Sequence, residues 1–196
     1  MTIVTIQPSM TSNFQYQIEL SNLRQQTFNR RDLVPLRSNY LWRIERGAAR
    51  TLTCGEAGDL ITLGLWGPGD VIGKPLSRIN PYQIECLTSV EASLVPSQLW
   101  QQVLDTELRH AQQAEELLSI VHCKSADLCL MQLLLWLAQK FGCEVNQGKL
   151  ITLRLTHQEI AETTGMTRVT VTRLLNQFER EGRIGRCRQH LILLHH

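Results

Sequence analysis

Residues 155–175 read LTHQEIAETTGMTRVTVTRLL and predict two short helices joined by a tight turn. Thr156 and Glu159 have the spacing of a capping box, in which the threonine hydroxyl caps the Glu159 amide and the glutamate returns a bond to the Thr156 amide. Gly165 supplies the left-handed residue that such a turn uses, and Thr167 is placed to cap the second helix. The pattern predicts a helix-turn-helix.

The second predicted helix has an apolar side and a polar, basic side. Apolar residues of the two helices fall where they can form one small core: Ile160, Ala161, Val171, Leu174, Leu175 and Phe178. No acidic residue interrupts the outer side before Glu179; that side carries Arg168, Thr170, Thr172, Arg173 and Asn176. Arginine pairs with guanine edges and threonine reaches phosphates or base edges, whereas an exposed helix of an enzyme more typically includes Asp and Glu. The outer side therefore predicts a helix that reads the major groove.

The segment after this helix predicts a two-stranded wing. Gly182 ends the helix, and the basic residues 183–190 lead into the apolar run Leu191–Leu194. The three wing arginines, at 183, 186 and 188, are placed for the phosphate backbone, a contact that gives affinity without sequence information and weakens with salt. The charge distribution permits this interpretation, because residues 151–196 hold seven Arg, no Lys and four Glu, a net +3 in a chain whose total is +2.

The central part of the chain predicts a small β-sandwich or barrel, because short apolar pieces alternate with turn residues between Phe28 and Pro96. The turns include the Gly67-Pro68-Gly69-Asp70 and Asn80-Pro81 sequences. Strands are predicted at Tyr40–Ile44, Ala48–Thr53, Ile61–Trp66, Val71–Ile72, Ile84–Thr88 and Ala92–Val95.

The chain between Pro96 and Gly142 lacks Gly and Pro, which predicts helices. Steps of four and three keep one apolar seam on the first of them: Leu104, Leu108, Ala111, Ala114, Leu118 and Val121. This seam could pair with that of a second copy, or the helix could dock on its own barrel; the sequence leaves both open. The next helix, Asp127–Phe141, is apolar nearly all round and so predicted to be buried, with Gly142 as its stop. A loop at 146–148 then leads into Leu150–Leu155.

These elements predict an α+β chain with four parts. Residues 1–27 are expected to form a mobile start and a short helix around Ile18–Gln26, and residues 28–96 a β-domain. Residues 97–125 form the helix with the seam, and residues 126–196 the winged helix-turn-helix. No Cys-x-x-Cys pair and no signal-peptide pattern is present, which predicts a cytoplasmic protein. The apolar run Leu128–Ala138 is too short for a membrane span.

Two segments resemble the bacterial Crp/Fnr regulators, typified by the catabolite activator protein and the fumarate and nitrate reduction regulator. The first comprises Leu155–Ala161, Gly165 and Thr167–Leu175; the second comprises Leu41–Gly47 and Gly67–Gly73. The sequence Arg-Val-Thr-Val-Thr-Arg at 168–173 most resembles the cyanobacterial global nitrogen regulator branch of this family. The resemblance implies a cupin-like β-roll as sensor domain, a long dimerisation helix, a hinge near Val121–Ser125 and contact with RNA polymerase.

The resemblance also implies roles at the DNA. Arg168 and Arg173 would read bases, Val169 would contact a thymine methyl, and His157, Gln158, Thr167 and Thr170 would hold phosphates. Val169 departs from the catabolite activator, which has Glu there, so a different operator is expected. With the residues taken from the pattern itself, the predicted DNA-contact set is His157, Gln158, Thr167, Arg168, Val169, Thr170, Thr172, Arg173, Asn176, Arg186 and Arg188.

The family's effector residues are only partly present. Gly73-Lys74-Pro75-Leu76 stands where the family's cyclic AMP cassette has Gly-Glu-Leu, so no response to cyclic AMP is expected. Arg109 matches one arginine with which the nitrogen regulator holds 2-oxoglutarate, and Lys74 and Arg78 are stand-ins for the other, whose place Asn80 takes. We expect no cofactor.

Two other functions compete with a dimeric, DNA-binding regulator on a near-palindromic operator. A cupin-type metalloenzyme needs histidines in the β-domain, but all six lie outside it, at 110, 122, 157, 190, 195 and 196, which predicts neither metal nor catalysis. A 2-oxoglutarate sensor or interaction module with a merely structural helix-turn-helix would not need the outer arginines of the second helix.

Overall fold

The computed structural model describes residues 24–56 and 58–194, and it consists of a β-roll, two long helices and a winged helix-turn-helix. The roll contains seven strands: β1 Gln25–Phe28, β2 Tyr40–Arg46, β3 Ala49–Cys54, β4 Leu60–Trp66, β5 Val71–Ile72, β6 Gln83–Cys86 and β7 Val90–Pro96. Two short 3-10 helices lie at Lys74–Leu76 and Ser97–Val103. The α-helices are α1 Leu104–Val121, α2 Ala126–Phe141, α3 His157–Thr164 and α4 Arg168–Arg180. The remaining strands are β8 Gly142–Val145, β9 Gly148–Ile151, β10 Ile184–Cys187 and β11 His190–Leu194.

The strands of the roll form two antiparallel sheets, in the orders β1-β7-β2-β5 and β4-β3-β6. Side chains of both sheets share one core that includes Trp42, Trp66 and Ile84. Alternation of apolar and polar residues along β2 and β7 puts one face of each strand into this core, as the sequence pattern predicts. The predicted α+β fold with an N-terminal β-domain is therefore confirmed.

The start of the described chain corrects one prediction. Gln25 and Gln26, expected at the end of a helix, lie in β1, which pairs with β7 at the edge of its sheet. The pairing with β7 and the packing of Phe28 on Trp42, with ring centroids 5.5 Å apart, stabilise the strand. The other residues of that predicted helix, 18–23, lie outside the described residues, as do residues 1–17.

Helix α2 is the centre of the second core. Leu130, Leu133 and Leu134 are fully buried and pack with α1, α3, α4 and the edge of the roll. The helix ends at Phe141 as predicted, but Gly142 is extended rather than left-handed and begins β8. Glycine fits there because a Cβ would lie 2.0 Å from the Ala138 carbonyl oxygen. Among the described helices, none is long and apolar enough to cross a bilayer.

The C-terminal sheet is larger than the predicted wing. Strands β10 and β11 form the expected hairpin, and β11 also pairs with β9 and through it with β8, in the order β10-β11-β9-β8. The loop predicted at 146–148 is the turn of the hairpin β8–β9. The wing is therefore one side of a four-stranded sheet that covers the helix-turn-helix core.

A buried arginine joins the roll to the helix-turn-helix. Arg50 of β3 is 4% exposed; its Nε lies 2.6 Å from a Glu85 carboxylate oxygen and its Nη1 lies 2.6 Å from Glu162 of α3. On another side of the junction, the Lys140 ammonium of α2 lies 2.7 Å from Asp70 of the roll, above the Trp66 ring. These ion pairs fix α3 and α2 against the roll.

We predict that Arg50→Met lowers the free energy of unfolding by about 3 kcal/mol, because the Glu85 and Glu162 carboxylates lose their partner in a nearly water-free place. Urea denaturation followed by circular dichroism measures this loss. The control is Arg46→Met, whose side chain is 80% exposed and whose ion pair with Glu91 spans 3.8 Å, so that its loss changes stability by no more than about 0.5 kcal/mol. Equal small losses in both variants would contradict a structural role for Arg50.

Candidate nucleic-acid interface

Helix α4 presents a polar side to solvent. Thr167 caps it, since its hydroxyl accepts a hydrogen bond of 3.1 Å from the Thr170 amide. The inner side buries Val171, Leu174, Leu175 and Phe178. The outer side exposes Arg168, Val169, Arg173 and Asn176, and Val169 is 77% exposed. An aliphatic side chain that stands in water on a basic helix is free to contact a partner.

Two threonines of α4 are less accessible than the sequence predicts. Thr170 and Thr172 are half-buried, and their hydroxyls are engaged within the helix-turn-helix. The Thr170 hydroxyl lies 2.9 Å from that of Thr167, and the Thr172 hydroxyl donates to the Arg168 carbonyl over 2.9 Å. Both residues lie beside the exposed arginines and order this part of the helix.

Helix α3 begins with the predicted capping box. The Glu159 amide donates to the Thr156 hydroxyl over 3.1 Å, and the Thr156 amide donates to the Glu159 carboxylate over 2.6 Å. The turn residue Gly165 has a φ of +70°, the left-handed conformation that the sequence predicts. The amides at the start of α3 carry the positive end of the helix dipole, which favours an anion such as a phosphate.

His157 and Gln158 occupy the first turn of α3. The His157 ring lies 2.7 Å from the Thr172 hydroxyl, which connects α3 to α4, and the exposed Gln158 donates to Glu162. Burial lowers the pKa of His157, and the positive charges of Arg186 and Arg168 lower that pKa further. The imidazole is therefore neutral near pH 7, and it lies among cationic groups.

The wing places its arginines in different surroundings. Arg186 folds back on α4, with its Nε 3.0 Å from Glu179 and its Nη2 3.5 Å from Asn176. Arg188 is exposed at the tip of the hairpin, with a φ of +56°. Arg183 stacks 4.4 Å above the Phe178 ring and contacts Glu181, so it belongs to the support of the wing.

One further arginine near this surface was missing from the sequence prediction. Arg154 is exposed and donates to the side chain of Gln189 in the wing turn. The contact of Arg154 with the wing joins residues 35 positions apart, so the local sequence does not reveal it. The one local signal is that Arg154 lies two residues before the capping Thr156.

The three candidate effector residues differ in their bonding. Lys74 donates to the Ile79 carbonyl over 2.6 Å, Arg109 donates to the Thr106 hydroxyl over 3.0 Å, and Arg78 is exposed. A cavity of about 490 Å³ lies elsewhere, between β4 and α3, where Thr62 and Glu162 line it. No group of three His, Cys, Asp or Glu side chains in the described part could hold a metal ion.

Comparisons with known proteins agree with this arrangement. The family model of the Crp-like helix-turn-helix domain matches residues 130–196. The regulatory protein CysR of Synechococcus elongatus is 47% identical over 169 residues, which are 84% of this chain and 81% of that protein. The global nitrogen regulator of Synechocystis sp. is 34% identical over 154 residues, 70% of this chain and 68% of that protein.

A solved structure shares the fold. A transcriptional regulator of the CRP family from Thermus thermophilus has a TM-score of 0.75 at 24% identity, covering 87% of this chain and 92% of that one. The roll, the helices and the winged helix-turn-helix thus occur together in another chain, most of which this one covers. With its exposed recognition helix and its similarity to regulators over most of its length, this chain belongs to the Crp/Fnr family of transcription regulators and carries that family's DNA-binding helix-turn-helix.

Proposed function

We propose that the protein acts as a homodimer that reads a near-palindromic operator, with one α4 helix in the major groove of each half-site. The observation that carries this proposal is the outer side of α4, where Arg168, Val169, Arg173 and Asn176 are exposed and no acidic side chain lies among them. A helix-turn-helix kept only as scaffold would have no use for two exposed arginines beside an exposed valine. The competing interpretation as an interaction module is disfavoured for this reason.

The contacts divide into two classes by their chemistry. Arg168 and Arg173 read bases, since a guanidinium pairs with guanine in two bonds, and Val169 contacts a thymine methyl. The other contacts are to phosphates, which fix position and give salt-dependent affinity. They come from His157, Gln158, Thr167, Thr170, Arg186 and Arg188, while Thr172 and Asn176 complete the side of the protein that faces the DNA.

The apolar seam of α1 supports the homodimer. Leu104, Leu108 and Leu118 are 55%, 58% and 57% exposed, although the same helix buries Leu117 and Ile120 against its own chain. Docking on the roll therefore uses another side of α1 and leaves the seam uncovered. Apolar residues that recur at steps of four and three, as in this seam, fit a second copy of the same helix. Two paired chains would set their recognition helices about 34 Å apart, one helical turn of DNA.

The rest of the proposal follows the division of the chain. Residues 28–96, together with strand β1 from Gln25, serve as a sensor-like roll, residues 97–125 as the dimerisation region and residues 126–196 as the DNA-binding part. The protein acts in the cytoplasm on double-stranded DNA, contacts RNA polymerase as the family does, and catalyses no reaction. It does not respond to cyclic AMP, and the bonds of Lys74 to the Ile79 carbonyl and of Arg109 to the Thr106 hydroxyl disfavour 2-oxoglutarate as an effector.

Arg173→Ala tests base reading. Selection from a random duplex pool with the purified protein, with and without 2-oxoglutarate, first supplies an operator. On that operator the variant is expected to lose about 1 to 3 kcal/mol of binding free energy and to relax base choice at one position per half-site. Fluorescence anisotropy on operator and scrambled duplexes measures both effects. A His157→Ala variant is expected to weaken both duplexes alike, and the same equal loss for Arg173→Ala would contradict base reading.

Leu108→Glu and Leu118→Glu test the dimer. In a symmetric dimer each substitution replaces two contacting leucines with two carboxylates. The dimer dissociation constant is therefore expected to rise at least about a hundredfold. Sedimentation equilibrium measures this rise. Ile79→Glu, a substitution of a 43% exposed residue on the roll, is the control and leaves the association unchanged. Unchanged dimers in both seam variants would exclude this helix as the interface.

The pH dependence of binding tests the role of His157. Its pKa is lowered in the free protein, and a bound phosphate would raise it, so the complex takes up a proton. Affinity for the operator is therefore expected to increase as the pH falls from about 7.5 to about 6, by up to roughly fivefold. In His157→Gln this increase disappears, while the binding near pH 7.5 changes little. A pH profile shared by both proteins would assign the proton to another group.

A further inference from the structure

The turn Asn29–Asp32, between β1 and the next part of the roll, presents two adjacent arginines. It is closed by two hydrogen bonds: the Asn29 amide donates to the Asp32 carboxylate over 2.7 Å, and the Asp32 amide donates to the Asn29 carbonyl over 3.0 Å. It is also bound to the end of β6, because the Arg31 amide donates to the Cys86 carbonyl over 2.7 Å and the Cys86 amide donates to the Asp32 carbonyl over 3.0 Å. The turn is a rigid part of the roll.

Arg31 holds an unfavourable backbone conformation in this turn. Its φ is +72°, in the left-handed region where glycine or asparagine is the usual residue and where a side chain with a Cβ costs about 1 kcal/mol. Its side chain is exposed, so packing does not repay this cost. An arginine at such a position points to a use for the guanidinium outside the roll.

The turn lies beside the first turn of α3. Arg30 Nη2 is 3.6 Å from Glu159 Oε1, and Glu159 directly follows His157 and Gln158, which the proposed function assigns to phosphates. Because Arg50 fixes α3 against the roll, the turn keeps a constant position relative to these residues. Asp32 accepts from the Asn29 amide and Glu159 accepts from the Thr156 amide and lies 3.6 Å from Arg30, and neither carboxylate is paired with Arg31. The exposed Arg31 guanidinium therefore adds a basic group on the roll next to the start of α3.

We propose that this turn is a second site of contact with the DNA backbone, in which Arg31, assisted by Arg30, binds phosphates next to those held by the start of α3. This inference rests on the proposed DNA reading by α4 and extends the footprint of the protein from the reading head to the roll. The contact is sequence-independent, because a guanidinium on a phosphate carries no base information.

The test uses Arg31→Gln and Arg31→Gly in the full-length protein, with the selected operator as the probe. Glycine relieves the left-handed backbone, so this variant is expected to be at least as stable as the parent protein. The control is Arg37→Gln, an exposed arginine near Tyr40. Tyr40 pairs with Pro96 and Phe28 with Val90, so this control lies at the far end of β7, roughly 20 Å from the turn.

Loss of one phosphate contact per chain has a defined effect on salt dependence. For a dimer the slope of log K against log salt becomes less negative by about 1.8, so the fall in affinity between about 50 and 200 mM salt becomes roughly tenfold smaller in both Arg31 variants. The Arg37 variant keeps the parent slope. Anisotropy titrations on operator and scrambled duplexes should give the same change of slope on both.

Duplexes with single methylphosphonate replacements then locate the contact. One position per half-site should weaken the parent protein and leave the Arg31 variants unaffected. If the parent protein fails to bind the duplex at all, the proposed function itself is wrong. If it binds but the Arg31 variants keep its slope and its methylphosphonate pattern, the turn does not touch DNA, and its arginines serve another partner, such as an acidic protein surface.

Discussion

The buried guanidinium of Arg50 is the interaction on which the arrangement of the molecule depends. It satisfies a carboxylate of the roll and one of α3 at the same time, in a place that water hardly reaches. Removal of Arg50 would leave both carboxylates without a partner, and removal of either carboxylate would break the link between the roll and α3, so the helix-turn-helix and the roll keep one relative position. That position in turn exposes α4, frees the seam of α1 and brings the turn with Arg31 next to α3.

Local sequence patterns predicted the elements whose stability is local. The capping box of Thr156 and Glu159 and the left-handed Gly165 define α3 within a few residues, and turn residues separated the strands of the roll. Strand β1 escaped prediction because its stability comes from a distant partner, since Gln25 pairs with Ser93, and β8 escaped it because it has no regular apolar pattern although its partner β9 is close in the chain. Polar edge strands without a regular apolar pattern carry no local signal of their own.

The candidate site also contains residues that local sequence patterns predicted and residues that they did not. The apolar spacing of α4 predicted the outward position of Arg168, Arg173 and Asn176, because a helix in a two-helix core has only one side to bury, whereas Thr170 and Thr172 are half-buried. Arg50 and Arg30 could not be found in this manner, since their partners Glu162 and Glu159 lie more than a hundred positions away in the chain. Lys74 and Arg109 were assigned through resemblance alone, and each is bonded within its own segment.

The ion pair of Arg186 with Glu179 affects how the protein would exchange ions with DNA. When Arg186 leaves its carboxylate for a phosphate, one DNA counterion is released, but Glu179 is left to recruit a cation from solution. The two movements largely cancel, so this arginine binds without the entropy gain of a net ion release. An unpaired arginine such as Arg188 leaves no carboxylate behind when it binds a phosphate, so its contact gives the full counterion release. The dependence of the affinity on electrolyte concentration is therefore weaker than the number of basic residues in the interface would suggest.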